Sequence, residues 1–364
     1  EMENDREQER GKSVMEKKYL FMTGIAVSAA LWCRQRNKKY PLAAGYPLLN
    51  KFIIPESFLS CHIMRIANRQ LAAMKQPSPP RGIKRMRKRI DSGKGEKIRL
   101  TVYRPVSVKN MLPCLVYFHG GGFCLEDAPY IHEHMGKYAE KAECTVVFVH
   151  YRTSEQHPFP IPFTDCWVGL EYVRQNSEDL HIDRERIAVG GDSAGGALAA
   201  ACTLRSREEG KSDICFQMLI YPVLDARMKT ESMKKYTDSP VWNARLSKKM
   251  WELYLKNGTF GKRYYASPAE TEDFHNLPPA YIEVEQYDSL HDEGVNYWRN
   301  LKRAGIAAEL QDVKGTFHGF DVFTKTDITK KMLDIRCSAL RRAFNEVLQQ
   351  SACRSKGLRD TADQ

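Results

Sequence analysis

The order of apolar and polar residues predicts alternating strands and helices from about residue 97 onwards. Short apolar runs, typical of strands buried on both faces of a parallel sheet, occupy residues 112–118, 144–151, 186–191, 215–222 and 280–285. Apolar–polar alternation, typical of half-buried strands, occupies residues 97–105 and 307–313. Apolar residues with the mixed spacing that is typical of helices covering a sheet occur in residues 130–142, 163–176, 194–208, 289–304 and 328–349. This order predicts an α/β fold with a mostly parallel central sheet flanked by helices.

Two segments depart from this alternation, because residues 1–96 and 224–276 have helical patterns without strand candidates. We expect residues 41–96 and 224–276 to form a helical cap, and residues 97–223 and 277–349 to form the core. Residues 1–40 would be an N-terminal extension and residues 350–364 a C-terminal tail. Ligands of open α/β sheets bind beyond the carboxyl ends of the strands, so a cap there would wall a pocket.

One serine among four glycines follows the predicted strand 186–191. The sequence at 190–196 is GGDSAGG. A G-x-S-x-G motif between a strand and a helix forms a nucleophile elbow, a strained turn that exposes the serine oxygen. The helix that begins near Ala194 favours negative charge beside that oxygen. The motif also occurs by chance, so the strand and helix around it are what make Ser193 the candidate nucleophile.

A second glycine cluster follows the predicted strand 112–118, where residues 118–123 are FHGGGF. Acyl transfer needs N–H donors aimed at the place where a carbonyl oxygen becomes anionic, and consecutive glycines can point adjacent N–H groups at one spot. No Lys-Ser/Thr pair follows, unlike in a phosphate-binding loop. We therefore expect the backbone N–H groups of Gly121, Gly122 and Ala194 to form an oxyanion hole.

A base and an acid are needed to activate a serine. In hydrolases of this type the chain order is serine, acid, histidine, and the histidines after Ser193 are His275, His291 and His318. His318 lies in a glycine-flanked loop after the strand 307–313, on the same rim as the serine, and is the expected base. For the acid we favour Asp288, directly after strand 280–285. The neighbouring carboxylates, Asp292 and Glu293, better suit the first helical turn.

The charge and the cysteines of the chain limit which partners and metals are expected. The formal net charge is +11, and residues 81–97 hold eight basic and two acidic residues. We interpret this stretch as a solvated linker, with attraction to an anionic membrane surface as the alternative. No nucleic-acid motif accompanies it, so no nucleic-acid partner is expected. The ten cysteines form no pattern with zinc spacing, and we expect no metal and no disulfide framework.

The uncharged stretch Tyr19–Cys33 leaves localisation open. Its 15 residues are flanked on both sides by basic residues, and a spanning helix usually needs about 20 apolar residues. One alternative is a helix packed on a cytoplasmic protein. The other is a membrane anchor or signal segment.

In its motifs the chain resembles the hormone-sensitive lipase family of α/β-hydrolases, which includes bacterial acetyl esterases and arylacetamide deacetylase. The shared stretches are HGGGF at 119–123, YRTSEQHPFP at 151–160, GDSAGG at 191–196, YPVLD at 221–225, LPPAYIEVEQYDSLHDEG at 277–294 and FHGF at 317–320. This resemblance implies an α/β-hydrolase fold with a helical cap, the triad Ser193, Asp288 and His318, and mainly structural roles for Asp192 and Glu155. Gln156 replaces a glutamate of the usual pattern, which affects loop packing rather than chemistry.

The expected function is that of a serine carboxylic-ester hydrolase. It would act on small-molecule short- to medium-chain acyl esters through an acyl-enzyme, without metal or organic cofactor. Two alternatives stay open. One is an amide deacetylase of the arylacetamide type, and the other is a non-catalytic ligand-binding receptor on the same fold. Retention of His318 argues against the receptor, because that branch lacks the catalytic histidine.

Overall fold

A single sheet organises the chain. The computed structural model describes residues 28–29, 31–46, 49–93, 95–211 and 213–360, with side chains up to residue 349. The eight strands are β1 (Ile83–Gly93), β2 (Glu96–Pro105), β3 (Leu112–Phe118), β4 (Thr145–His150), β5 (Ile182–Asp192), β6 (Ile214–Ile220), β7 (Ala280–Glu285) and β8 (Ala308–Val313). Their spatial order is β1-β2-β4-β3-β5-β6-β7-β8, and only the β1–β2 and β2–β4 pairs are antiparallel. The predicted mostly parallel sheet is therefore confirmed.

Helices connect the strands. They are α1 (31–39), α2 (Cys61–Ala73), α3 (Pro129–Lys141), α4 (Ile161–Gln175), α5 (Ala194–Glu208), α6 (Glu231–Lys235), α7 (Ala244–Tyr254), α8 (Arg263–Ala266), α9 (His291–Arg303) and α10 (Asp327–Asp360). Short 3-10 helices occupy Leu49–Lys51, Glu56–Leu59, Pro268–Glu270 and Phe320–Val322. Each of the five helices predicted from the core pattern is present, although α10 continues into the segment that was expected to be a tail.

The sheet carries a hydrophobic core on each face. In β3 every residue is buried, and alternate side chains join different cores: Leu115 and Tyr117 pack with helices α3 and α10, whereas Val116 and Phe118 pack with α4, α5 and α9. Successive side chains of a strand point to opposite faces, so a strand covered on both sides must be apolar throughout. This explains the continuous apolar runs of the central strands.

The basic stretch at 81–97 is not a linker, and that interpretation is wrong. Residues Ile83–Gly93 pair with β2 along their whole length and form the outermost strand of the sheet. Ile90 and Ser92 are buried on one face and Met86 is half-buried there, while most of the basic residues between them are exposed or half-buried. A strand at the end of a sheet needs few apolar side chains, so its pattern was too polar to be recognised. Residues 83–93 consequently belong to the sheet and not to the predicted cap 41–96.

The N-terminal segment packs against the insert 224–276. The Arg36 guanidinium lies 2.8 Å from a carboxylate oxygen of Asp238, and the Tyr40 hydroxyl donates to the same carboxylate at 2.6 Å. Farther along, the Val241 backbone N–H donates to the carbonyl oxygen of Phe52 at 3.2 Å. The two segments expected to make a cap are therefore in contact, while the division of the chain into cap and core stays a prediction.

Most of Tyr19–Cys33 lies outside the described residues. Of this stretch, residues 28–29 and 31–33 are helical, and the side chains of Leu31 and Trp32 are 55% and 43% exposed. Within the described ranges no helix is both long and apolar enough to cross a bilayer. Every cysteine up to Cys337 in the described ranges has a free thiol.

A buried arginine joins helix α10 to the sheet. Arg336 is 1% exposed and donates to both carboxylate oxygens of Glu283 in β7. It also donates to Asp321 at 2.7 Å, in the short helix just after His318. Asp321 in turn accepts the Tyr221 hydroxyl at 2.6 Å. One cation thus holds two buried carboxylates from different elements.

Replacing this arginine is expected to destabilise the fold strongly. Arg336→Met keeps the volume of the side chain but leaves two carboxylates buried without their partner, which costs about 3–5 kcal/mol in the free energy of unfolding. The matched control is Arg342→Met on the same helix, because its ion pair with Glu309 is half exposed and contributes under about 1 kcal/mol. Urea unfolding of both variants tests this, and equal losses would contradict it.

Candidate active site

Ser193 occupies the turn between β5 and α5 in a strained conformation. Its φ of 55° and ψ of −119° are unusual for a residue with a side chain. Its backbone N–H donates to the Ile220 carbonyl oxygen at 2.8 Å, and its own carbonyl oxygen accepts from Val223 at 3.0 Å. These bonds from the end of β6 hold the turn in place. The predicted strand–serine–helix elbow is present.

Glycines let the backbone come close on both sides of this turn. A Cβ at Gly195 would lie 2.0 Å from the carbonyl oxygen of Phe118, and one at Gly191 would lie 2.3 Å from the carbonyl carbon of Gly195. No side chain fits at such distances. The first turn of α5 therefore touches the end of β3, where the FHGGGF loop begins.

His318 and Asp288 complete a hydrogen-bonded series with the serine. Ser193 Oγ lies 2.8 Å from His318 Nε2, and His318 Nδ1 lies 2.7 Å from Asp288 Oδ2. The second oxygen of Asp288 accepts the Leu290 backbone N–H at 2.9 Å, which fixes the carboxylate. All three residues are at least 94% buried. The structure thus brings together residues 193, 288 and 318, as the sequence predicted.

The rival candidates lie elsewhere. His291 pairs with Asp292 and Asp312, and His275 is exposed beside Asp273. Asp292 also accepts from Ser232, while Glu293 accepts the Leu224 backbone N–H at 2.6 Å. These carboxylates therefore hold the insert 224–276 against α9 and do not reach His318.

The glycine loop lies beside the serine. Gly121 and Gly122 have φ values of 109° and 60°, and both line a cavity of about 160 Å³ together with Ser193 and His318. Ala194 is buried as the first residue of α5. The service of these three backbone N–H groups as oxyanion donors stays a prediction, for which this common cavity is the supporting geometry.

The comparisons with known proteins agree with the observed fold. A family model described as alpha/beta hydrolase fold matches residues 115–322. Carboxylesterase NlhH of Mycobacterium tuberculosis is 31% identical over 279 residues, which cover 75% of this chain and 86% of that protein. The chain belongs to the hormone-sensitive lipase family of α/β-hydrolases.

Further relatives of this α/β-hydrolase differ in the length of chain over which they match it. Esterase LipI of Mycobacterium tuberculosis is 34% identical over 213 residues, 57% of this chain and 65% of that protein, so the chain spans slightly less than two thirds of LipI. The solved structure of a bacterial heroin esterase has a TM-score of 0.71 at 30% identity. The match covers 78% of this chain and 91% of the heroin esterase chain.

The pocket of this α/β-hydrolase also has walls that sequence reasoning missed. Besides the glycines and the triad, the 160 Å³ cavity is lined by Ile54, Phe58, Tyr130, Trp242 and Leu246. The Trp242 ring lies 5.8 Å from the His318 ring. These residues come from the N-terminal segment, from α3 and from the insert, and no local motif marks them. For these residues the sequence supported only a general expectation, namely that both helical segments cover the sheet.

A buried histidine supports the glycine loop. The Nδ1–H of His119 donates to the carbonyl oxygen of Gly120 at 2.7 Å, and its ring stacks on Tyr151 at 4.2 Å. Burial lowers the pKa of His119 to about 4, so the ring is neutral near pH 7. It is therefore a positioning element for the loop and does not add charge to the pocket.

Asp192, next to the serine, has its carboxyl group beneath the same loop. It accepts the Tyr117 hydroxyl at 2.9 Å, and a Cβ at Gly120 would lie 2.3 Å from its carboxyl oxygen. Burial, and then the charge of Asp321, raise the pKa of Asp192 to about 7. The resemblance assigned Asp192 a structural role, and these contacts join the nucleophile turn to the glycine loop.

A further cavity, of about 890 Å³, lies at the amino ends of β5, β6 and β7. Its lining includes Arg207 and Lys211, whose cations are held by carboxylates or carbonyl oxygens. It contains none of the triad. Among the residues with described positions, no cluster of histidines, cysteines and carboxylates is suited to a metal ion.

The raised pKa of Asp192 predicts a pH dependence of stability. Between pH 4 and 7 the folded state keeps a proton that an unfolded carboxyl, with a pKa of about 3.9, has lost. The contribution of Asp192 to the free energy of unfolding therefore falls as the pH rises through this range. Asp192→Asn removes that contribution, so in urea unfolding between pH 4.5 and 6.5 the slope of the free energy of unfolding against pH should be more positive than that of wild type. Asp179→Asn, at an exposed site, is the control and should keep the wild-type slope.

Proposed function

We propose that this protein is a serine carboxylic-ester hydrolase that acts on short- to medium-chain acyl esters through an acyl-enzyme. The observation that carries the proposal is the series Ser193 Oγ–His318 Nε2–Asp288, with distances of 2.8 and 2.7 Å. A hydroxyl is a poor nucleophile unless a base accepts its proton, and this arrangement supplies the base and its orienting acid.

In the first half-reaction Ser193 Oγ attacks the ester carbonyl while His318 Nε2 accepts the hydroxyl proton. Asp288 accepts the Nδ1–H of His318, which selects the tautomer and stabilises the imidazolium that forms. The carbonyl oxygen becomes anionic and accepts hydrogen bonds from the backbone N–H groups of Gly121, Gly122 and Ala194. His318 then returns the proton to the departing alkoxide, and the alcohol leaves.

In the second half-reaction a water molecule attacks the acyl-enzyme. His318 accepts a proton from that water, the second tetrahedral intermediate collapses, and the proton passes to Ser193 Oγ as the acid leaves. The burial of all three side chains supports this route, because hydrogen bonds to developing charge are stronger away from bulk water.

The names of the relatives support the reaction class. The proteins similar to this chain are called carboxylesterase, esterase and heroin esterase, and we infer ester hydrolysis for this chain from that similarity together with the triad. The small cavity at Ser193, about 160 Å³, supports a short group on one side of the ester. Of the predicted cap, residues 41–82 and 224–276 would cover the site, since residues 83–93 belong to the sheet. Membrane association through Tyr19–Cys33, in place of a cytoplasmic location, stays a prediction.

Hydrolysis of nitrophenyl esters tests the proposal directly. We expect the wild-type protein to cleave the members with short acyl chains fastest in a series from two to sixteen carbons. Ser193→Ala should lose about a million-fold in kcat, as removal of the nucleophile does in serine hydrolases. Matched anilides separate an esterase from an amide deacetylase. Equal, slow hydrolysis of every ester by wild type and variant would refute the catalytic role of Ser193.

The identity of the acid can be tested with two neighbouring aspartates. Asp288→Asn should keep the fold but lower kcat about 10,000-fold, because an amide favours the wrong tautomer of His318. Asp292→Asn is the matched control and should stay within about threefold of wild type, since Asp292 contacts Ser232 and His291 instead. Equal losses in the two variants would overturn the assignment of Asp288.

A further inference from the structure

A second cavity, of about 410 Å³, lies beside the cavity at Ser193 and is lined in part by residues of helix α2. The two cavities share the wall residues Phe58, Gly121, Leu125 and Tyr130. The walls of the second cavity are mostly apolar and include Ala67, Leu71, Met74 and Ile131. For a chain attached to an ester at Ser193, this second cavity is the adjoining apolar space.

A third cavity, of about 320 Å³, adjoins the apolar cavity and has a different character. It shares Leu71, Met74, Glu126 and Asp127 with the apolar cavity. Four cationic side chains line it: Lys75, Arg85, Arg87 and Arg99. An apolar cavity thus lies between the cavity at the serine and a basic cavity.

Strand register explains why the arginines meet. Arg85 and Arg87 are two residues apart in β1 and so lie on the same face of the sheet. Arg87 pairs with Thr101 of β2, which places Arg99, two residues before Thr101, on that face as well. The antiparallel pairing of two basic strands therefore collects cations from distant positions in the sequence.

These cations have no carboxylate partner within the described part of the chain. Arg85 donates to the Pro77 carbonyl oxygen at 2.7 Å and Arg87 to the Gln76 side-chain oxygen at 3.0 Å. Both are neutral acceptors, and no ion pair of Lys75 or Arg99 occurs among the described residues. Elsewhere on this protein exposed arginines commonly pair with carboxylates, for example Arg342 with Glu309.

The two carboxylates at this end offset the four cations only in part. Asp127 accepts from His132 at 2.6 Å and from His150 at 2.8 Å. Burial, and then the neighbouring Asp127, raise the pKa of Glu126 to about 7. The cleft consequently keeps an excess of positive charge near neutral pH.

We propose that the cleft lined by Lys75, Arg85, Arg87 and Arg99 binds an anionic group, a phosphate or a carboxylate, at the far end of the ester substrate. Guanidinium groups match the planar oxygens of such anions. The substrate class is then an ester with a small group on one side and, on the other, an apolar spacer that ends in an anion. This inference rests on the proposed ester hydrolysis.

The test compares anionic and neutral esters of equal length. Nitrophenyl half-esters of straight dicarboxylic acids place the anion on the acyl side, and acetate esters of ω-hydroxy acids place it on the alcohol side. Each is compared with its methyl-terminated counterpart. In at least one orientation wild type should prefer the anionic ester, and Arg87→Gln/Arg99→Gln should lower the ratio of the two kcat/KM values about 10-fold.

Lys84→Gln is the matched control. Lys84 is an exposed cation on the same strand but on the opposite face of the sheet and outside the cleft, so its substitution should change the ratio less than twofold. Added salt should weaken the preference of wild type. Absence of any anionic preference in both orientations, or an equal effect of Lys84→Gln, would overturn the proposal.

Binding without turnover separates this inference from the proposed function. We expect Ser193→Ala to bind octyl phosphate more tightly than octyl glucoside in calorimetry, and addition of Arg87→Gln/Arg99→Gln to abolish the difference. If wild type cleaves no ester but this difference is found, the anion cleft stands and ester hydrolysis fails. If phosphatidylglycerol vesicles bind through these arginines while octyl phosphate does not, the cleft is a membrane contact and the substrate proposal is overturned.

Discussion

The arrangement of the site depends on one close backbone approach, between the first turn of helix α5 and the end of strand β3. With a Cβ at Gly195 the Phe118 carbonyl oxygen would be 2.0 Å away, so the approach exists only because that position has no side chain. It sets the distance between the serine turn and the glycine loop. Asp192 reinforces this contact, because its carboxyl group lies against Gly120 of the glycine loop and accepts a hydrogen bond from the Tyr117 hydroxyl.

Burial controls the charge around the triad. The pKa values of Asp192, Glu285 and Glu293 are all raised, first of all by burial. Each of these groups accepts a hydrogen bond. Asp192 accepts one beside the serine turn, Glu285 accepts one at the end of β7, and Glu293 accepts one from the insert 224–276. Raised pKa values limit the negative charge that competes with Asp288 for the imidazolium of His318. Arg336 compensates the remaining pair of buried carboxylates on the α10 side of the sheet.

The central strands and the hydrogen-bonded series of Ser193, His318 and Asp288 could be predicted from the sequence, because each follows from local patterns and from chain order. His318 could be chosen among three histidines since only its loop follows a strand at the serine rim. The walls of the pocket could not be predicted in this way. Trp242 and Ile54 reach the serine only after two distant segments pack together, and strand β1 was missed because its exposed face is almost entirely basic.

Strand β1 also has a consequence for association between copies of this protein. Among the described residues no strand lies beside its outer side, and such a free row of N–H and C=O groups is a template for strand addition and aggregation. The lysines and arginines along it disfavour that event, because two copies approaching through this strand would bring like charges together. Arg85 and Arg87, two of the four cations at the proposed cleft, thus also disfavour self-association, and full neutralisation of the strand would remove that protection.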